Sequence, residues 1–207
     1  MTEQQQGDTQ PKTLALGRRV NLRDRVVGDA DTYMHWWRTQ GQWRQYDAPW
    51  EDAHAPLNAK QLANIKKKFI NACYPPLPVP RKQAMITTPN DQPLGWVSCY
   101  INAHFPKVWL VGIDICEDDY LNQGLGTEAL ALWLHYLFKH SEIHRIGLNT
   151  WSFNHRMMRV AEKLGFLYEG CRRELIEWQG ERLDLVYYGI LKREWEEIAP
   201  KFIPTSV

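Results

Sequence analysis

The residues that could perform chemistry are concentrated in one run, VGIDICEDDYLNQGLGTEAL, which occupies residues 111–130. An apolar, strand-like segment ends in an acidic turn, and Gly124 and Gly126 then open a helical pattern. A helix N-terminus presents unpaired backbone N–H groups and a partial positive charge. Glycine lets an anion approach that backbone without a side-chain clash. The spacing therefore predicts an anion site suited to a pyrophosphate.

The glycine pair alone is a weak signal, because a glycine-rich turn that merely starts a helix has the same pattern. Two other nucleotide-binding motifs do not fit. The Walker loop requires GxxxxGK[ST], and no lysine follows these glycines in the required position. The dinucleotide fingerprint requires GxGxxG in a βαβ unit, but position 129 is Ala129 and the preceding strands form a meander.

The elements that must position this run are predicted from hydrophobic periodicity and turn residues. Strands are expected at 16–22, 83–88, 94–103, 108–115, 145–151, 170–178 and 182–191, and helices around 33–37 and at 58–72, 124–139 and 154–164. This order is typical of a mixed α/β domain built around one sheet. We expect the domain to span 13–198, between a disordered polar tail at 1–12 and a C-terminal tail at 199–207.

Two segments together resemble the GNAT acetyltransferases. Residues 120–130, YLNQGLGTEAL, are similar to the central motif of that superfamily, roughly [RQ]xxGxG[AT]. They are still more similar to the GKGxxTEAL pattern in the branch related to the ribosomal-protein acetyltransferases RimJ and RimL. Residues 144–170, HRIGLNTWSFNHRMMRVAEKLGFLYEG, match the strand, helix-start Asn and EKLGF of that branch. The resemblance covers most of residues 14–195.

The resemblance implies a fold and an activity. The fold is α/β (mixed α+β), with a central, mostly antiparallel sheet of about six or seven strands flanked by about four helices. In this family the sheet is splayed at the cofactor site. The implied activity is transfer of an acetyl group from acetyl-coenzyme A (acetyl-CoA) to a primary amine by direct attack, without a metal.

The resemblance also implies which residues bind coenzyme A. Backbone N–H groups of the glycine loop would hold the pyrophosphate, and the strand edge before it would pair with the pantetheine arm. An N–H near Ile115 or Cys116 would stabilise the thioester oxyanion, and Asn154 would hydrogen-bond the arm. The predicted cofactor set is Ile115, Cys116, Asn122, Gln123, Gly124, Leu125, Gly126, Thr127 and Asn154.

Two positions depart from the family pattern. Leu121 stands where a basic residue or glutamine is expected, which removes one side-chain contact but leaves the backbone loop. Ala161 stands where many members have a tyrosine that protonates the leaving thiolate. Other members of the branch also lack that tyrosine, so we expect solvent or another group to supply the proton.

Proton removal from the amine requires a base, because an alkyl ammonium has a pKa of about 10.4 and only the neutral amine attacks. Asp114 and Glu117 are the candidate catalytic carboxylates, since both precede the phosphate loop. For Asp114 the alternative is a structural hydrogen bond. For Glu117, Asp118 and Asp119 the alternative is a solvated acidic turn.

The segment WRQYDAPWE, residues 43–51, lies where the family builds its acceptor groove. Its aromatic rings and carboxylates suit a cationic amine, so Trp43, Asp47, Trp50 and Glu51 are the candidate acceptor-binding residues. The alternative is a surface loop anchored by the two tryptophans. The resemblance favours a protein or peptide N-terminal amine. A polyamine or aminoglycoside-like amine, or a non-catalytic module that binds coenzyme A, are the alternatives.

Composition limits the other functions. The formal net charge of +1 gives no support for a nucleic-acid partner. The four cysteines form no CxxC pair that would indicate a zinc site, and their scatter suits reduced thiols in a cytoplasmic protein. No apolar run is long enough to predict a membrane span. Ten tryptophans are present, either for core packing or as exposed aromatics that would suggest a homodimer.

Overall fold

The computed structural model describes residues 11–39, 41–46, 48–50, 56–101 and 107–203. These ranges contain eight strands and five α-helices. The strands are β1 (Thr13–Leu16), β2 (Asn21–Arg23), β3 (Gln83–Thr87), β4 (Pro93–Ile101), β5 (Val108–Ile115), β6 (Arg145–Trp151), β7 (Leu167–Trp178) and β8 (Glu181–Leu191). The helices are α1 (Ala30–Arg38), α2 (Ala59–Asn71), α3 (Leu125–Lys139), α4 (His155–Lys163) and α5 (Lys192–Ile198).

All eight strands form one sheet in the order β1-β2-β3-β4-β5-β6-β8-β7. Every neighbouring pair is antiparallel except β5 and β6, which are parallel. The predicted mixed, mostly antiparallel fold is therefore confirmed. The sheet has one strand more than the upper expectation, because the single strand predicted at 16–22 is two strands joined by a turn. In that turn the Gly17 amide donates to the Asn21 side chain at 3.3 Å.

The splay predicted at the cofactor site lies between the two parallel strands. β5 pairs with β6 only from Val108 to Leu110. Beyond Leu110, β5 continues to pair with β4 as far as Ile115, and β6 continues to pair with β8 as far as Trp151. The two halves of the sheet therefore separate from each other, and a gap opens between β5 and β6.

The sheet has a different hydrophobic cluster on each face. On one face lies α3, which is buried nearly all round and whose Trp133 donates from Nε1 to the Ser98 carbonyl at 3.0 Å. On the other face, α1 and α2 pack on β4 through an aromatic cluster. This cluster consists of Tyr33, Trp36, Trp37, Trp43, Phe69 and Trp96. Of the four tryptophans near the N-terminus, Trp36, Trp37 and Trp43 therefore pack in this cluster, and Trp36 and Trp43 are buried.

Candidate active site

The gap between β5 and β6 forms a cavity of about 350 Å³. Its walls are residues 110–115 of β5, residues 148–151 of β6, and the first turns of α4. Trp43 and Tyr46 reach it from the segment after α1, and Tyr100 reaches it from β4. Gly126 lines the end of the cavity at the start of α3. One cavity thus connects the predicted phosphate loop to the face of the sheet on which α1 and α2 lie.

The loop before α3 has the backbone conformation that an anion site requires. Asn122 and Gly124 have positive φ values of 59° and 79°, and Gly124 is the N-cap residue of α3. No side chain accepts a hydrogen bond at this cap, so the first N–H groups of the helix are available to a ligand oxygen. At Gly126 an added Cβ would contact Ile113 and Ile115 at 3.8 Å, which shows how closely the loop lies on β5.

Arg19 lies beside this loop and was missed by the sequence analysis. Its Nη1 donates to the Gln123 carbonyl at 2.7 Å, and its Nε pairs with Glu128 at 3.2 Å. The same carboxylate accepts the backbone N–H groups of Arg18 and Arg19, so the turn between β1 and β2 is attached to the first turn of α3. A guanidinium therefore stands next to the loop in which Leu121 replaces the expected basic residue. Its separation of more than one hundred residues from the loop left no local signal in the sequence.

Asn154 is the N-cap residue of α4 and lines the cavity. Its Oδ1 accepts the Met157 backbone N–H at 3.1 Å, and its Nδ2 donates to the Tyr46 carbonyl at 3.3 Å. The Arg156 guanidinium lies 4.7 Å from the centre of the Tyr46 ring. The side-chain amide therefore connects α4 to the segment after α1, in addition to the role predicted for it towards the pantetheine arm.

The two candidate carboxylates lie in different places. Asp114 lines the cavity and is paired with Trp96 in the sheet, which places it on the face of α1 and α2. Burial raises the pKa of the nearby Tyr33 hydroxyl, and the charge of Asp114 contributes to this shift. Glu117 instead accepts the Trp36 Nε1–H at 2.6 Å and lines a separate surface cavity with Asp31 and His35. Its contacts are those of a structural hydrogen-bond partner.

The thiol of Cys116, directly after β5, is buried. Burial raises the pKa of Cys116 well above its ordinary value, and the carboxylates of Asp114 and Glu117 raise it further. The thiolate is the reactive form of cysteine, so this environment disfavours a nucleophilic role. Its position therefore agrees with direct attack of the acceptor rather than with a covalent acetyl-cysteine.

Of the four candidate acceptor-binding residues, Trp43 and Trp50 lie in the described part of the chain. Trp43 packs in the aromatic cluster and lines the cavity, and its Nε1 has no hydrogen-bond partner among the described residues. Trp50 packs edge-on against Trp151 at 4.6 Å between ring centres and also contacts Phe153 and Trp178. Asp47 and Glu51 lie outside the described residues.

At position 161, where many family members have a tyrosine, this chain has a buried alanine. Ala161 lies in α4 and its side chain is completely buried in the core, whereas Met157 and Val160 of the same helix line the cavity. No acid reaches the cavity from position 161. A tyrosine that does reach it is Tyr100, which the sequence analysis placed in a strand and gave no role.

In the described ranges, no three His, Cys, Asp or Glu side chains are arranged to hold a metal ion. None of the helices in those ranges has the length and apolar character needed to cross a membrane.

Known proteins resemble this chain in sequence over its central part. Residues 19–167 match the family described as Acetyltransferase (GNAT) domain. A Bacillus subtilis (strain 168) protein named "Putative ribosomal N-acetyltransferase YdaF" is 36% identical over 78 residues, which are 38% of this chain and 43% of that protein. Over less than half of each length, this match supports relatedness and not a shared substrate.

Solved structures share the fold over most of the chain. A GNAT-family acetyltransferase from Bacillus anthracis has a TM-score of 0.68 at 22% identity, covering 88% of this chain and 100% of that one. The ribosomal L7/L12 α-N-protein acetyltransferase RimL, solved with coenzyme A, has a TM-score of 0.67 at 14% identity over 87% and 98% of the two chains. Spermidine N-acetyltransferase from Vibrio cholerae, solved with coenzyme A and spermine, has a TM-score of 0.64 at 19% identity over 86% and 98%. With the family match over residues 19–167, the splayed sheet and the glycine loop, the chain belongs to the GNAT acetyltransferase family.

Proposed function

We propose that this chain is an N-acetyltransferase that moves the acetyl group of acetyl-CoA onto a primary amine by direct attack. The observation that carries the proposal is the single cavity between β5 and β6. At one end it meets the glycine loop, and at its open face it meets aromatic side chains and Asp114. A thioester held between the separated strands would be accessible to an amine from the face of α1 and α2.

The residues of the loop fit the phosphates of acetyl-CoA. Free N–H groups at the start of α3 and the Arg19 guanidinium together offer hydrogen bonds and positive charge to a pyrophosphate. The β5 edge that no longer pairs with β6, at residues 111–115, can accept the amide groups of the pantetheine arm. The backbone N–H of Ile115 would then stabilise the developing oxyanion, because the N–H of Cys116, the other predicted donor, already donates to the Leu94 carbonyl at 2.8 Å.

The acceptor must lose a proton before it attacks. Asp114 is the carboxylate on the cavity wall, and we assign to it the removal of this proton, directly or through water. Trp43 and Trp50 would contact the remainder of the acceptor, because their rings lie at or beside the cavity. Asp47 and Glu51 stay candidates for the same surface.

We favour a protein or peptide N-terminal amine as the acceptor, since a relative and a structural neighbour carry names of ribosomal-protein acetyltransferases. A small polyamine is the second candidate, supported by the similarity to the Vibrio cholerae spermidine enzyme. Both candidates place a primary amine at the same carboxylate. The two acceptors differ in the part of the molecule that lies beyond the amine.

A thiol-release assay with acetyl-CoA tests the proposal. The acceptors should include peptides with a free N-terminus, the same peptides with a blocked N-terminus, spermidine and kanamycin. We expect release with the free peptides and none with the blocked ones. Release with spermidine alone would select the second candidate. Coenzyme A binding by calorimetry without release from any acceptor would instead identify a non-catalytic module.

A further inference from the structure

The proposed reaction needs a proton donor that position 161 does not supply. When the amine attacks the thioester, its nitrogen carries one proton too many and the departing sulfur carries one too few. The hydroxyl-bearing side chains that line the cavity are those of Tyr46, Tyr100 and Thr150. A phenol is a much stronger acid than an alkyl hydroxyl, which leaves the two tyrosines.

Tyr100 lies at the narrow end of the cavity, where the strands separate. It is paired with Leu110, the last residue through which β5 contacts β6. Paired residues share a face of a sheet, so Tyr100 lies on the same face as Gly112 and Asp114. Tyr46 lies in a different part of the cavity, because its segment contacts the start of α4 at Asn154 and Arg156.

The Tyr100 ring lies next to Gly112 of β5. A Cβ added at Gly112 would lie 3.5 Å from Cε2 of Tyr100 and 3.9 Å from its hydroxyl oxygen. The same Cβ would lie 3.1 Å from the Ser98 Oγ, which is closer than normal contact. The phenol therefore lies over the β5 backbone at Gly112, within the stretch 111–115 whose edge we assign to the pantetheine arm.

The hydrogen bond of Tyr100 leaves its own proton available. The Ser98 hydroxyl, which is only 1% exposed, donates to the Tyr100 oxygen at 3.2 Å. When Ser98 donates in this pair of hydroxyls, the Tyr100 O–H is left to donate to a group in the cavity. Tyr100 is itself 58% exposed, so its hydroxyl is accessible to a bound substrate.

We propose that Tyr100 is a catalytic residue that relays a proton from the attacking nitrogen to the leaving sulfur. This inference rests on the proposed acetyltransferase function. As the C–S bond breaks, the phenol gives its proton to the sulfur, and its oxygen takes the surplus proton from the nitrogen that has formed the C–N bond. The products are the amide and neutral coenzyme A thiol, and Tyr100 returns to its starting state. Asp114 acts earlier, when it takes the first proton from the incoming ammonium.

The test compares Tyr100→Phe with Tyr100→Ala, using acetyl-CoA and the acceptor that the wild-type protein uses best. Loss of a general acid–base group typically lowers the rate by about 10²-fold or more. We expect that loss in kcat for both variants, with an unchanged KM for acetyl-CoA. Tyr168→Phe is the matched control, because it removes an exposed tyrosine hydroxyl on β7, outside the cavity.

A selenoester analogue of acetyl-CoA separates proton transfer from packing. A selenolate leaves without protonation more readily than a thiolate, so the deficit of Tyr100→Phe should be much smaller with the selenoester. Ser98→Ala, which removes the donor to Tyr100, should lower kcat by a smaller factor and leave the KM for acetyl-CoA unchanged.

The relay is overturned if Tyr100→Phe keeps the wild-type kcat. It is also overturned if the kcat of Tyr100→Phe falls by the same factor with the thioester and with the selenoester. Wild-type protein that releases no thiol with any acceptor would overturn the proposed function and the relay together. Wild-type turnover with an unaffected Tyr100→Phe would overturn the relay alone. Melting temperatures of both variants show whether the fold is intact.

Discussion

At the scale of single residues, the two predicted carboxylates are distinguished by their neighbours. Asp114 lines the cavity, whereas Glu117 accepts a hydrogen bond from Trp36. We predict that Asp114→Asn lowers kcat/KM by about 10²-fold, since the amide cannot accept a proton while its shape is retained. Steady-state kinetics over a range of pH would show the loss. Equal kcat/KM values for variant and wild type throughout that range would contradict the assignment.

Glu117→Gln is the matched control for this experiment. It also replaces a carboxylate with an amide near the end of β5, but its amide oxygen can still accept the Trp36 Nε1–H. The variant should therefore retain most of the activity and lose a little stability, because a charge-assisted hydrogen bond becomes a neutral one. A large loss of kcat in Glu117→Gln with an unchanged melting temperature would instead favour Glu117 as the base.

The side chain of Asn154 has a structural function as the cap of α4 and a proposed one in binding coenzyme A, and substitution can separate them. Asn154→Asp keeps the oxygen that caps α4 but loses the Nδ2 donor to the Tyr46 carbonyl, so we expect a small fall in melting temperature and a KM for acetyl-CoA raised by about three- to tenfold. Asn154→Ala should show the same rise in KM and also lose about 1 kcal/mol of stability with the cap. Thermal denaturation and kinetics check the two effects. If Asn154→Asp binds coenzyme A as tightly as wild type does, the contact with the pantetheine arm is wrong.

Local sequence could identify only some of these residues. Gly124 and Asn154 were predicted because a helix start needs a particular residue type at a particular spacing, and the resemblance supplied the ligand. The surroundings of Glu117 were not predictable, because Trp36 is 81 residues away. Tyr100 had no signal either, since a tyrosine in a strand is ordinary until the neighbouring strand is seen to have glycine beside it.

At the scale of elements, the turn between β1 and β2 is part of the proposed cofactor site. Glu128 accepts both backbone N–H groups of the turn, which holds the Arg19 guanidinium next to the Gln123 carbonyl. We predict that Arg19→Ala raises the KM for acetyl-CoA about three- to tenfold, because one charged hydrogen-bonding group is lost from a partly screened position. The KM for S-acetylpantetheine, which has no pyrophosphate, should not change.

Arg18→Ala is the control for Arg19. It removes the same charge from the neighbouring position, but its side chain is exposed and forms no hydrogen bond or ion pair with the described residues. A contact of Arg19 with phosphate predicts a larger effect for Arg19→Ala, which decreases as the salt concentration rises. Equal effects of the two substitutions would indicate only long-range electrostatics.

Some boundaries of the elements differed from expectation for local reasons. The predicted tail at 199–207 begins with a turn of 3-10 helix, Ala199–Lys201, and Phe202 stacks on Trp195 at 6.3 Å. Helix α5 was not predicted, because it follows β8 without any loop residue to mark its start. Its first turn is closed by the Glu194 side chain, which accepts the Leu191 N–H at 2.9 Å.

At the scale of the whole molecule, the tryptophan content bears on the homodimer hypothesis. Trp36, Trp133 and Trp195 are at most 1% exposed, so much of the aromatic surface suspected at an interface is core. The homodimer hypothesis is supported instead by exposed apolar side chains on the edge strand β7, which are Leu167, Tyr168 and Leu175. The hypothesis predicts a sedimenting mass of twice 24.4 kDa. A monomer at all concentrations tested would remove it.

The sequence by itself determined the family, most of the order of the elements and the position of the predicted phosphate loop, because these depend on residues that are neighbours along the chain. A strand, two glycines and a helix start predict an anion site from local sequence, and the second motif at residues 144–170 made the family resemblance specific. Only the tertiary structure decided which side chains join that loop. The separation of β5 from β6 places Tyr100, Asp114 and Asn154 around one cavity, and the β1–β2 turn brings Arg19 to α3. These contacts join residues that are distant in the chain, and no local pattern records the packing that brings them together.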